Sequence, residues 1–236
     1  MQNQIKQINL LLIEKFNIPP RPEIPPDPVD LLIATILSQN TNDKNSYRAF
    51  QNLKSEYKSW EEVARLSRSA IEKYIKTAGL GKQKSKAIKS FLSFMMEQKG
   101  SISLDYLKKE SNEKVIEELT RFNGIGVKTA GCVLLFSLRR NICPVDTHVY
   151  RILNRVGLLK TTSPAKTFEK LNTNFPENIA HSFHTNLIRL GREICKPSKP
   201  HCLQCPLLEI CNYENKNLIK PKSNKINSFM LLDNVK

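Results

Sequence analysis

No stretch of this 236-residue chain approaches the roughly 18 consecutive apolar residues that a membrane-spanning helix needs, which excludes a protein built from such spans. The first residues, Met1-Gln2-Asn3-Gln4-Ile5-Lys6, lack the basic segment, apolar segment and small-residue cleavage site of a secretory signal. A reducing compartment is therefore expected: the cytoplasm, with nucleoid association if the source is prokaryotic. Alternating apolar and polar residues of the kind that build paired strands are missing, which argues against a β-sheet protein. Acidic residues are short as well. Twenty-two Asp and Glu face 37 Lys and Arg, for a formal charge of +15, and that imbalance points to a polyanionic partner, nucleic acid first. Surplus lysine also serves solubility, so the location of the charge has to decide. Hydrophobic content of 40% and charged content of 25% exclude wholesale disorder, and the length suits one large domain or two modest ones.

Residues 4–16 carry Ile5, Ile8, Leu11, Leu12 and Phe16 at helical spacing, and the Pro-rich run from Pro19 to Pro28 then forbids helix. An N-terminal helix followed by a stiff extended linker is expected. From 30 to 138 short helices follow one another: Asp43 is placed to cap one, Ser59-x-x-Glu62 is a capping box, and residues 84–98 and 112–122 have 3.6-residue periodicity. Further helices are expected after Val145, at Ser163-Pro164, and over 176–192. Residues 212–236 form a tail that is either disordered or docked as a short element.

Glycine is scarce, eight in all, yet four of the eight fall in two similar segments, Gly79-Leu80-Gly81-Lys82 and Gly124-Ile125-Gly126-Val127. The second lies between two helical patterns and reads as a helix-hairpin-helix turn. Such a turn lets backbone N–H groups converge on an anion such as a DNA phosphate, although a tight helix connection alone also requires glycine. Lys128 follows in the first turn of the next helix, where the positive end of the helix dipole disfavours a protonated amine. A neutral amine is a nucleophile able to form a Schiff base at a sugar carbon, while a protonated one would pair with phosphate. Eighteen positions later Val145-Asp146-Thr147-His148 opens another helix; Asp146 suits an N-cap, and capping does not prevent a catalytic duty. His148 has no second histidine at ligand spacing and reads as structural.

Four of the six cysteines, Cys195, Cys202, Cys205 and Cys211, cluster near the C-terminus, which in a reducing compartment means metal. Zinc and an iron–sulfur cluster both take four thiolates, and spacing alone leaves the two open. Cys132 and Cys143 lie outside the group and suit ordinary burial.

Taken in order, Phe122-Asn123-Gly124-Ile125-Gly126-Val127-Lys128-Thr129-Ala130, then Val145-Asp146-Thr147-His148, then Cys-x6-Cys-x2-Cys-x5-Cys at 195–211 resemble the endonuclease III family of helix-hairpin-helix DNA glycosylases. The resemblance runs from about Asp30 to Cys211. It implies an all-α, two-lobed fold: a six-helix barrel lobe with the hairpin over 28–141, and an N/C-terminal lobe over 1–27 and 142–211 with an iron–sulfur cluster loop, followed by the tail at 212–236. It further implies a base-excision-repair enzyme that flips a damaged base into the cleft between the lobes, removes it, and cleaves the resulting abasic site. Lys128 would stand at the nucleophile position and Asp146 at the catalytic carboxylate position. A [4Fe–4S] cluster would be held by Cys195, Cys202, Cys205 and Cys211. The substrate implied is double-stranded DNA with damaged bases, oxidised pyrimidines above all, or abasic sites, handled by a monomer away from any membrane.

In Ile36-Leu37-Ser38-Gln39-Asn40-Thr41, Asn40 falls where the family fills the gap left by the extruded nucleotide. Leu80 matches the family's apolar wedge, flanked by Gly79 and Gly81; core packing is the other reading of that Leu. Residues 71–100 hold seven Lys and two Glu, so Lys82 and Lys84 are expected to meet phosphates beside the wedge, as are Gly124, Ile125 and Gly126 at the hairpin. Two positions depart from the pattern: Asn123 stands for the usual Pro, and Gly81 for the aromatic residue after the wedge. Both bear on DNA contacts and lesion preference and neither on the chemistry. A monofunctional glycosylase would have no need of the Lys128 amine, a non-catalytic DNA-binding module no need of Lys128 and Asp146 together, and an electron-transfer protein no need of the hairpin turns.

Overall fold

A computed structural model describes residues 1–219 and 235. The described residues form eleven α-helices joined by turns and longer loops, with no strand among them, and no described helix is long and apolar enough to cross a membrane. In chain order the helices are α1 (Gln2–Phe16), α2 (Pro28–Ser38), α3 (Asp43–Glu56), α4 (Trp60–Arg65), α5 (Arg68–Tyr74), α6 (Gly81–Lys99), α7 (Asn112–Thr120), α8 (Val127–Cys132), α9 (Thr147–Val156), α10 (Pro164–Asn172) and α11 (Ala180–Glu193). Among the described residues the chain divides into two compact units: one contains residues 22–140 and 235, the other residues 1–21 and 141–219.

In the middle unit α2 is the central helix. Every residue from Pro28 to Leu37 is buried, which is why its sequence is apolar on all sides and shows no polar stripe. Asp27 caps it by accepting from the Val29 and Asp30 amides, with Pro28 at the first helical position. The buried Asp30 carboxylate is satisfied by the Trp60 indole (2.6 Å) and the Lys54 ammonium (3.0 Å). Asn42 caps α3 through the Asn45 amide (2.9 Å), so Asp43, expected as the cap, instead opens the helix and favours its positive end. The Pro-rich segment from Pro22 onward belongs to this unit and not to the N-terminal helix, because the Arg139 guanidinium donates to the Pro22 and Glu23 carbonyls. After α8 the helix widens into a π-turn over Val133–Ser137, all of it buried.

In the other unit α1 packs on α11, and Arg189 of α11 both caps α1 through the Phe16 carbonyl (2.7 Å) and stacks on the Phe16 ring. Helix α9 also packs on α11, so closely at Gly191 that a Cβ there would lie 2.7 Å from the His148 Cβ. His148 is thus structural, its Nδ1 accepting from Arg151 (3.1 Å) while burial lowers its pKa. Cys132 and Cys143 are buried thiols, one in each unit. Of the tail, residues 220–234 and 236 lie outside the described residues.

Candidate functional site

The residues singled out from the sequence fall in both units. In the middle unit, Phe122 to Gly126 makes the turn between α7 and α8. Gly124 has φ +91°, and a Cβ there would meet the Ala87 Cβ at 2.8 Å, so both its backbone conformation and its close approach to α6 require glycine. Gly126 is the N-cap of α8, and the first bond of that helix runs from the Ala130 amide to the Gly126 carbonyl (3.0 Å). Lys128 is the second residue of α8 and half-buried, in the first turn as its sequence position implied.

Ile125 differs from the glycines beside it. Its side chain is buried and its amide donates to the Phe122 carbonyl (3.0 Å), so only the exposed glycines on either side offer backbone that a phosphate can approach closely.

Asn40 and Leu80 are both exposed and both in the left-handed region, with φ +51° and +49°. Side chains adopt that conformation rarely, and where they do the surroundings fix them there. Leu80 is 46% exposed, which rejects the core-packing reading for an apolar residue of that size. Gln39, which the sequence motif does not mark out, ties the α2 exit to the hairpin by donating from Nε2 to the Gly124 carbonyl (3.0 Å).

Lys82 is exposed, in keeping with a phosphate contact, but Lys84 is not. Lys84 is 2% exposed, and its ammonium donates to the Leu37 and Ala78 carbonyls, both at 2.8 Å, so it does not reach DNA. Its helical register with Ile88, Phe91 and Met95, all buried on α6, is the signal that places it inside.

In the other unit Asp146 caps α9, its Oδ1 accepting from the His148 (2.8 Å) and Val149 (2.9 Å) amides. One and two helical turns along α9 stand Arg151 and Arg155, which the sequence did not single out. Arg151 donates to the Cys195 and Gly191 carbonyls; Arg155 donates to the Lys196 and Pro197 carbonyls and the Cys195 Sγ (3.5 Å), and stacks on Tyr213. Two arginines a helical turn apart thus hold the start of the cysteine loop to α9.

All four loop cysteines, none of them in a disulfide, line one cavity with Arg155, Leu208, Tyr213 and Lys216. Among the described residues no three His, Cys, Asp or Glu side chains converge closely enough for a single metal ion. One tetrahedral ion at about 2.3 Å from each sulfur would need that convergence, whereas a [4Fe–4S] cluster takes one thiolate at each of four irons. A cavity rimmed by four sulfurs fits the latter. Burial pushes the Cys205 thiol up to about 12 and raises Cys211 as well, so their ionisation calls for positive charge within the cavity. Backbone amides at Leu207 and Tyr213 offset part of that rise by hydrogen bonding to the two sulfurs.

The chain is similar to known proteins in sequence and in fold. Residues 33–177 match the family described as the HhH-GPD superfamily of base excision DNA repair proteins. Endonuclease III of Thermotoga maritima is 33% identical over 89% of this chain and 92% of its own length. An Arabidopsis thaliana protein assigned as a DNA glycosylase is 35% identical over 83% of this chain, which spans 61% of that longer protein. Among solved structures, a non-covalent complex of endonuclease III with DNA has the same fold, with a TM-score of 0.75 over 89% of this chain and 95% of that one at 24% identity. A family match extending over more than half of the chain, joined to the hairpin, the lysine after it and the capping aspartate, decides the matter: the chain belongs to the HhH-GPD superfamily of base excision DNA repair proteins.

Proposed function

We propose that this chain is a bifunctional DNA glycosylase and apurinic/apyrimidinic lyase that removes oxidised pyrimidines from duplex DNA. The observation that carries the reading is Lys128, an amine at the start of the helix that follows the glycine hairpin. A glycosylase that only hydrolyses the base has no use for an amine there. The Nζ attacks C1′ as the C1′–N bond breaks and the base leaves with the bonding electrons, to be protonated. The amine gives up a proton and the adduct opens to an iminium as the C1′–O4′ bond breaks and O4′ is protonated; the iminium acidifies the C2′ hydrogen, and loss of that proton expels the 3′ phosphate by β-elimination. Positive charge builds on the sugar as the base departs, and the Asp146 carboxylate stabilises it. Asn40 would face the orphaned base and Leu80 would enter the stack. Exposed Lys82 and the backbone at Gly79, Gly81, Gly124 and Gly126 would meet phosphates. The enzyme would act as a monomer in a reducing, DNA-containing compartment, cytoplasmic and nucleoid-associated in a prokaryote.

The test is a panel of duplexes, each with one defined lesion. An oxidised pyrimidine should be released and the strand cut on the 3′ side of the resulting site. Release without cutting would leave a monofunctional glycosylase and overturn the lyase half of the reading.

Cys195, Cys202, Cys205 and Cys211 would hold a [4Fe–4S] cluster, which when bound cross-links the loop and takes no part in breaking the glycosidic bond. Anaerobically purified protein is expected to carry about four irons and as many acid-labile sulfides. Cys202→Ser should lower the iron content and the melting temperature together, because the loop has few apolar residues to hold it. One zinc and no iron per chain would reject the cluster.

A further inference from the structure

We infer that Lys84 is a positioning residue whose single buried ammonium holds in register the two segments that enter DNA, the α2 exit carrying Asn40 and the turn carrying Leu80. The inference rests on the glycosylase reading above and adds to it a residue that never touches the substrate.

Lys84 lies in the first turn of α6, and its Nζ reaches back to two carbonyls far apart in sequence. Leu37 is the penultimate residue of α2, and Ala78 ends the short 3₁₀ turn Lys76–Ala78. Both carbonyls sit at the negative ends of their helical segments, where a cation is favoured and an intrahelical donor is lacking. Asn40 follows Leu37 by three residues, and Leu80 follows Ala78 by two. Both are exposed and both hold a left-handed backbone, which asparagine tolerates and leucine rarely adopts. Two outward-facing residues in left-handed conformation therefore stand immediately downstream of the two carbonyls that one ammonium grips.

Neighbouring bonds add to the same frame. Gln39 links the α2 exit to the Gly124 carbonyl, and the Thr77 hydroxyl donates to the Asn45 carbonyl at the start of α3. Both segments are thereby tied to their surroundings as well as to each other.

The arrangement is costly if packing were its purpose. Among the described residues no carboxylate neutralises Lys84, and burial alone pushes its pKa down to about 8, so the group is still mainly protonated at neutral pH. A methionine would fill the same space without desolvating a charge. What methionine would not do is hold two chain ends at one fixed separation. Filling the gap behind a flipped nucleotide demands that separation, since stacked bases are about 3.4 Å apart and a misplacement of about 1 Å costs on the order of a hundredfold in rate.

The test compares two substrates on the same protein sample. A duplex with one oxidised pyrimidine requires both segments to enter the helix; a single-stranded abasic oligonucleotide has no stack to enter and no orphaned base to meet. The measured quantity is the ratio of single-turnover base release on the duplex to borohydride-trapped imine formation on the single strand. Because both rates scale with the amount of folded protein, the ratio is insensitive to partial unfolding. Lys84→Met should lower it about ten- to a hundredfold relative to wild type, and Lys84→Gln, a milder change that keeps one shorter donor, should fall between. Equal losses on both substrates, or a ratio unchanged in both variants, would reduce Lys84 to a packing residue and overturn the inference with the glycosylase reading intact. Wild-type protein that forms no imine on either substrate would instead overturn the reading beneath it.

Discussion

Replacing Lys128 by Gln should abolish the covalent adduct that borohydride leaves between protein and abasic DNA, by at least about a thousandfold, while DNA affinity stays within a fewfold of wild type. Removal of a covalent nucleophile typically costs several powers of ten in rate. The amide cannot form an imine, so no other step compensates. Glutamine keeps the length and helix propensity of lysine at the second position of α8, so the hairpin and its Gly126 N-cap should be undisturbed. Affinity is expected to persist because the exposed backbone at Gly124 and Gly126 and the exposed Lys82 remain. The measurement is a gel shift under denaturing conditions after reduction, with peptide mapping of the adduct in the wild type. If the adduct survives in Lys128→Gln, the reacting amine belongs to another lysine, and the chemistry moves with it to a different part of the surface.

The residues legible from sequence were those whose duties are local. Asp146 declares itself as an N-cap because capping depends on the next three residues alone, and Ser163-Pro164 opens α10 for the same reason. The Gly124 hairpin is legible because glycine is rare in this chain and its φ +91° leaves little choice. Lys84 was misread because Lys82, Lys84, Lys86 and Lys89 look alike as a basic run, and what separates them is tertiary. Lys84 alone projects toward the ends of α2 and the 3₁₀ turn, whereas Lys82 and Lys86 face solvent. The pairing of Arg151 and Arg155 with the cysteine loop was likewise hidden, since each guanidinium finds those carbonyls, 44 and 41 positions further along, only after the intervening chain has folded back. The π-turn after α8 has no signature in Val133 to Ser137, which would suit an ordinary helix equally well. The Pro-rich segment was correctly expected to be non-helical, but its allegiance to the middle unit follows from Arg139, a contact more than a hundred residues away.

Asp146→Asn should slow base release by about two to four powers of ten, the range seen when one preorganised electrostatic group is removed from a transition state. The substitution isolates charge from structure. In the wild type the two capping bonds are accepted by the same Oδ1, at 2.8 Å from the His148 amide and 2.9 Å from the Val149 amide. Asparagine offers a carbonyl oxygen in the same place and caps helices about as well as aspartate, so α9 should keep its start and the stability should change by no more than about 0.5 kcal/mol. What is lost is the negative charge, which acts beyond the cap: it raises the pKa of His148 against the effect of burial, and it favours the protonated Arg151. A carboxylate that favours positive charge at the head of α9 can also stabilise the cationic sugar that forms as the glycosidic bond breaks. Imine formation at a preformed abasic site needs no such cation from base departure, so trapping there should fall much less than base release does. Single-turnover rates on a lesion duplex and on an abasic duplex, measured beside a thermal melt, separate the two. An unchanged release rate would confine Asp146 to capping, and equal losses on the two substrates would place its effect in DNA binding, either of which would remove it from the chemistry.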